Sequence, residues 1–122
     1  MARKIAVDEG RAAVAAVRRG REGGQHPGRS EQAMAVRYLL QLLHEKAPGN
    51  SVEVRVPPFG AVQVVQGPRH TRGTPPNVVE MSAEVWVALA VGDLLWPAAV
   101  GQGAVSASGS RADLAPLLPL RP

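Results

Sequence analysis

The side chains best suited by type and spacing to bind a ligand lie in the stretch GPRHTRGTPPN, residues 67–77. Arg69, His70 and Arg72 place three basic groups within four residues, among Pro and Gly residues that are typical of a loop. Guanidinium groups bind carboxylates and phosphates through paired hydrogen bonds. The spacing therefore predicts an anion site for a phosphate, a carboxylate or a nucleic-acid backbone. Solvated arginines, or a pair with Glu80, would give the same pattern.

Residues for catalysis or metal binding do not form a recognisable set. The chain has no Cys, which excludes disulfides, thiolate metal ligands and a Cys nucleophile. The histidines fall in three separate segments without the short spacing of a metal motif: His26, His44 and His70. The serines around Gly109 lack a G-x-S-x-G nucleophile elbow. We therefore expect no catalytic centre, no metal and no cofactor, and a protein that is not an enzyme.

The charge balance gives a weaker indication of partners. Fourteen Lys and Arg against ten Asp and Glu give a formal charge of +4, and the excess of basic residues lies before residue 47. Such a balance attracts nucleic acid or anionic lipid. The few aromatic residues are not interleaved with Arg as in many nucleic-acid modules: Tyr38, Phe59, Trp86 and Trp96. Nucleic-acid binding through residues 1–30 is therefore a minor alternative, and nucleic acid is a disfavoured partner.

The N-terminus and the hydropathy pattern indicate where the chain works. Residues 1–9 contain no apolar segment of the signal-peptide type. No stretch reaches the roughly 18 apolar residues that a membrane span requires. We expect a cytoplasmic protein without a transmembrane segment.

Two helices are predicted before the first strand. Residues 8–19 place acids first and arginines last, which suits the helix dipole and lets Asp8 cap the helix. Residues 20–29 are rich in Gly and predict a linker, and Ser30 then caps a second helix. The apolar residues of this helix recur with the spacing of one buried face: Val36, Leu39, Leu40 and Leu43. We divide the chain into an N-terminal helix and linker, 1–29, and a domain, 30–122.

The rest of the chain alternates between strands and short helices. Residues 51–56 (SVEVRV) alternate strictly, residues 61–66 form the return strand of a hairpin, and residues 78–81 form a third strand. Ser82 caps a helix over 83–92, and Pro97 begins a further short turn. Residues 103–110 predict a fourth strand, and Ser110 begins a terminal helix. The fold class is therefore α+β, with a mostly antiparallel sheet of four to five strands covered on one face by helices.

The runs APGNSVEVRVPPFGAVQVVQGPRHTRGTPPNVVEM and GQGAVSASGSRADLAPLLPL resemble the sterol carrier protein superfamily. They are most similar to its small stand-alone bacterial orthologues and to the related C-terminal domains of mycothiol-dependent maleylpyruvate isomerases. The resemblance covers about residues 50–118. It implies a five-stranded, largely antiparallel sheet under helices, of which the sequence pattern itself supports four strands.

In the lipid-transfer members, the resemblance also implies an apolar tunnel between sheet and helices. We expect seven apolar side chains to line it, although a closed core would use the same residues: Phe59, Met81, Trp86, Leu89, Leu94, Trp96 and Leu117. An anionic head group would lie at Arg69, His70 or Arg72. The function expected is a non-enzymatic carrier of a lipid or fatty-acyl-like ligand. The alternative is an accessory module that docks a partner protein, such as an enzyme.

Overall fold

The computed structural model describes residues 4–67 and 75–122. Two helices come first, a three-stranded section follows, and two short helices precede the last strand. The elements are α1 (Val7–Glu22), α2 (Arg29–Lys46), β1 (Val52–Val56), β2 (Gly60–Val64), β3 (Asn77–Met81), α3 (Ala83–Val91), α4 (Trp96–Gly101) and β4 (Val105–Ser108), with a 3-10 turn at Ala115–Leu117. This order confirms the α+β class.

The sheet is mixed, with its strands in the order β2-β1-β3-β4. β1 pairs antiparallel with β2, and β3 pairs antiparallel with β4, while the central pair β1 and β3 is parallel. β2 ends opposite Val52, and β3 begins opposite the same residue. β2 and β3 therefore lie on opposite sides of β1. The prediction of a mostly antiparallel sheet is correct for the two outer pairs and wrong for the central one. The described residues contain four of the four to five strands expected.

One face of the sheet builds the core. Val52, Val54 and Val56 alternate along β1 and are fully buried, as the period of two predicts. The predicted face of α2 is also buried, because Val36, Leu39, Leu40 and Leu43 have almost no exposed surface. The same hydrophobic cluster continues into α3 and α4.

The first helix shares this core. Val14 and Val17 of α1 belong to the same cluster as the residues of α2 and the sheet. The two helices approach each other at Gly10, where a Cβ atom would overlap the Tyr38 ring. A glycine is therefore needed at this crossing because the Tyr38 ring occupies the space of a side chain.

Several predicted helix boundaries need correction. α1 continues to Glu22, so the linker is confined to residues 23–28. Asp8 and Ser30 lie inside the first turns and are not caps, since Ala6 and Gly28 hold the cap positions. Ser82 does cap α3, and its hydroxyl accepts a 3.3 Å hydrogen bond from the Val85 amide.

The predicted terminal helix is only a single 3-10 turn. Asp113, not Ser110, accepts the hydrogen bond that begins it, from the amide of Ala115 at 2.9 Å. Pro119 lies two residues after the turn and has no backbone N–H to extend a helix.

Asn77 joins three segments at the start of β3. Its side-chain amide is buried, donates to the Ser51 carbonyl at 2.8 Å and accepts from the Arg111 backbone amide at 2.9 Å. We expect Asn77→Ala to lower the free energy of unfolding by about 2 kcal/mol, because both backbone partners lose a buried hydrogen bond. Asn77→Asp keeps only acceptors and should also destabilise the protein. Urea unfolding measures both, and an unchanged stability would contradict the role of this amide. Gln102→Ala, on an exposed residue, is the control.

None of the helices in the described ranges combines the length and the apolar character that crossing a bilayer requires.

Candidate functional site

A groove of about 680 Å³ lies between α2, β2 and the segment that precedes α1. We call it the α2–β2 groove. Small-molecule sites in proteins have volumes of about 300–1,000 Å³, so this groove could hold a ligand of ordinary size. The groove is lined by Lys4, Ile5, Met34, Arg37, Leu40, Gln41, His44, Glu45, Phe59, Gly60, Ala61 and Val62.

The lining combines an apolar base with a polar edge. Met34, Arg37, Gln41 and His44 follow one another at intervals of three and four residues, which places them along one stripe of α2. The facing strand contributes Val62, whose side chain shares a sheet face with buried Val54 because the two residues are cross-strand partners. The groove can therefore accept an apolar group against a wall that carries cationic side chains.

The chain before α1 forms the third wall, and Gln41 holds it in place. The Gln41 side chain accepts from the Ile5 backbone amide at 2.8 Å and donates to the Ile5 carbonyl at 3.0 Å. Lys4 also forms an exposed ion pair with Glu45 at 3.5 Å. Because exposed pairs contribute little stability, the amide of Gln41 is the main polar attachment of this wall.

Two arginines meet at Phe59, at one end of the groove. Arg37 Nε donates to the Phe59 carbonyl at 2.8 Å. The Arg29 guanidinium carbon lies 5.4 Å from the centre of the Phe59 ring, within the range of a cation–π contact. Across residues 4–67 and 75–122, no carboxylate lies within ion-pair distance of either arginine. Arg37 lines this end of the groove, and Arg29 lies next to it through the contact with Phe59. Neither positive charge has an acidic partner among those residues.

The other end of the groove is less positive. His44 Nδ1 donates to the Gln63 carbonyl at 2.8 Å, since a carbonyl oxygen can only accept. Glu45 lines the same end and is paired with Lys4. The groove therefore has a polar asymmetry, with free positive charge at Phe59 and a compensated pair at Glu45.

The residues predicted to bind a ligand do not form one site. Phe59 lines the α2–β2 groove, whereas Met81, Trp86 and Leu89 are buried in the hydrophobic core. The Trp86 indole is fully buried, and its Nε1 donates to the Val36 carbonyl at 3.3 Å. The hydrogen-bond and packing partners of this indole are therefore protein atoms, and the ring has no exposed surface for a ligand.

Leu94 and Trp96 lie at a second cavity, of about 140 Å³, between α3, α4 and the C-terminal segment, and the core residue Leu89 also lines it. Leu117 is half-buried against the core. The proposed anion-binding residues lie outside the described residues, and their part of the hypothesis remains a prediction: Arg69, His70 and Arg72.

Sequence reasoning missed most of the groove. Met34, Arg37 and Gln41 have the right helical spacing, but they lie beside the apolar face of α2 and resemble an ordinary solvent-facing stripe. Ile5 carries no sequence signal, because its place depends on contacts with a residue 36 positions away.

Metal binding finds no support in the part of the chain that the structure describes. Among residues 4–67 and 75–122, no three His, Asp or Glu side chains come together as a possible metal site.

The fold is a small α+β domain with a mixed sheet, covering helices and an open groove. A family model described as bacterial SCP (sterol carrier protein) ortholog matches residues 28–120, from the start of α2 to beyond the 3-10 turn. The chain belongs to this family. The comparison with curated proteins finds no match. α1 lies before the matched range and is joined to it through the shared core.

Proposed function

We propose that this chain is a non-catalytic carrier that binds an apolar ligand, of the lipid or fatty-acyl type, in the α2–β2 groove. The observation that carries the proposal is a groove of about 680 Å³ whose base is apolar and whose rim is cationic. Membership of the sterol carrier protein-like family supports a role of the lipid-carrier type. The proposed residues that hold the apolar part are Ile5, Met34, Leu40, Phe59 and Val62.

The energetics are sufficient for useful affinity. Burial of one methylene group contributes about 0.8 kcal/mol, so a chain of a dozen methylenes contributes roughly 10 kcal/mol before costs. Loss of ligand freedom removes several kcal/mol of that sum. Because the groove is open, part of the chain stays in water, and the net binding free energy should be weaker than about −8 kcal/mol, which corresponds to a dissociation constant above about 1 μM.

The groove is a better location than the predicted tunnel for a physical reason. Val54, Leu39 and Trp86 are completely buried by protein atoms, and a close-packed core has no space for a second occupant. A ligand in the groove uses surface that is still exposed and leaves that packing intact.

A charge placed in the apolar base should weaken binding of the ligand. We expect Val62→Asp to weaken binding of dodecanoate at least tenfold, because a carboxylate there repels the tail and retains water. Isothermal titration calorimetry measures the affinity. The matched control is Val78→Asp, which changes another half-buried strand valine. Val78 and its cross-strand partner Glu53 share the sheet face opposite to that of Val62. Equal affinities for the two variants, or no binding by the wild-type chain, would contradict the proposal.

A docking role is the second candidate, supported by apolar side chains at the surface of α4. Leu95, at the start of α4, is 66% exposed, and Val100 within it is 45% exposed. Native mass spectrometry of the protein isolated from its source cells separates the two roles. A bound lipid favours the carrier. A stoichiometric protein partner that is lost with Leu95→Asp, and no lipid, favours docking.

A further inference from the structure

We propose that the ligand is an anionic single-chain amphiphile, and that Arg29 and Arg37 bind its carboxylate or phosphate head group at the Phe59 end of the α2–β2 groove. This inference rests on the proposed function, and it adds the charge of the ligand and its orientation. The apolar tail then extends from Phe59 along α2 towards His44.

The two arginines keep donors available for such a head group. Arg37 donates its Nε–H to the Phe59 carbonyl, which restrains the guanidinium group. Its terminal nitrogens have no acceptor among the described residues and can donate to a ligand. The guanidinium carbon of Arg29 lies over the Phe59 ring at 5.4 Å from its centre, and Arg29 forms no side-chain hydrogen bond with another described residue. Phe59 therefore contacts both cations, and both keep N–H groups without an acceptor among the described residues.

Neither arginine has an acidic partner among the described residues, and this favours an anionic ligand. In the described parts of the chain, the three ion pairs involve other residues, and neither Arg29 nor Arg37 is neutralised. Glu31 lies between them in sequence, in the first turn of α2, and forms no ion pair with either one there. A carboxylate or phosphate would supply the missing negative charge, with charge-assisted hydrogen bonds that are about twice as strong as neutral ones.

The orientation follows from the two ends of the groove. Glu45 lies at the far end in an ion pair with Lys4, so the cation at that end already has an acidic partner. The Phe59 end lies nearer to the N-terminus of α2, whose partial positive charge adds to that of the arginines. Both effects place the negative head group at Phe59 and the neutral tail between α2 and β2.

The test compares four ligands with the same twelve-carbon chain: dodecanoate, dodecyl phosphate, dodecanol and dodecyltrimethylammonium. Calorimetry on the full chain should give at least tenfold tighter binding of both anions than of dodecanol, and the weakest binding for the cation. Arg29→Gln/Arg37→Gln should lose at least tenfold affinity for the anions and retain the affinity for dodecanol. Arg11→Gln/Arg19→Gln removes the same charge from exposed positions of α1 and should bind as the wild type does.

The outcomes separate this inference from the proposed function. If the wild-type chain binds dodecanol as tightly as dodecanoate, and the double variant changes nothing, the carrier role stands and the anionic head group is wrong. If no amphiphile binds, the carrier role itself fails. Free inorganic phosphate should compete only weakly, because it lacks the tail; tight competition would show an anion site independent of lipid and overturn the inference. Arg29→Gln alone, which breaks no hydrogen bond to the backbone in the structure, serves if the double variant does not fold.

Discussion

Gly49→Ala is expected to lower the free energy of unfolding by about 3 kcal/mol or more, since strain and overlap act together. Gly49 has a φ of 150°, a conformation that side chains disfavour. A Cβ at this position would overlap the carbonyl carbon and oxygen of Val65. An alanine at position 49 is therefore destabilising for two reasons, its unfavourable backbone conformation and the overlap of its Cβ with Val65.

The Val65 backbone is not free to move away. Its amide donates to the Ala47 carbonyl at 2.8 Å. Its carbonyl accepts from the Ser51 amide at 3.1 Å and from the Ser51 hydroxyl at 2.7 Å. Val65 itself has a positive φ of 66°, which is rare for a β-branched residue and persists only where surrounding contacts impose it. The substitution must therefore break several hydrogen bonds or accept the overlap.

Two other glycines separate the components of this effect. Gly24 has a φ of 71° with no atom near its missing side chain, so Gly24→Ala measures the backbone penalty alone, about 1 kcal/mol. Gly101 lies in α4 with open space and no positive φ, so Gly101→Ala should be neutral or slightly stabilising. Urea unfolding, followed by tryptophan fluorescence, measures all three. A loss at Gly49 no larger than that at Gly24 would show that the overlap with Val65 relaxes at little cost.

The second large effect is expected at Trp86. Trp86→Ala should cost about 3–5 kcal/mol, because it removes a large buried ring and leaves a cavity. The indole is fully buried, and its loss also leaves the Val36 carbonyl without the indole donor. Many domains of this size have a total stability of only about 5–15 kcal/mol, so this variant could lose most of it. Urea unfolding gives the magnitude, and Leu95→Ala, at an exposed apolar position, is the control.

Trp86 also distinguishes the core from the predicted tunnel. Trp86→Phe keeps most of the apolar volume, should cost less than Trp86→Ala, and should leave the affinity for dodecanoate within about twofold, because the α2–β2 groove does not include this ring. Calorimetry on the folded variant provides the measurement. A tenfold or larger loss of affinity would place the ligand beside the indole and would support the interior tunnel instead of the groove.

The sequence was sufficient where structure depends on neighbouring residues. The alternation in SVEVRV predicted the buried face of β1, and the spacing of Val36, Leu39 and Leu43 predicted the buried face of α2. Ser82 was recognisable as a cap because capping needs only an oxygen and an amide three residues later. Residues far apart in the chain play no part in these patterns, which is why the α+β class could be predicted.

Only the tertiary structure decided how the elements combine. The parallel pairing of β1 and β3 places β3 on the opposite side of β1 from β2, and no local pattern encodes that strand order. Trp86 was recognisable as an inward-facing residue, but whether it faces a ligand or other side chains depends on the packing of the whole core. At the groove, Gln41 binds the Ile5 backbone, and Phe59 contacts both Arg29 and Arg37. Each of these sites is a meeting of distant segments, and a single sequence records the residues without their distances.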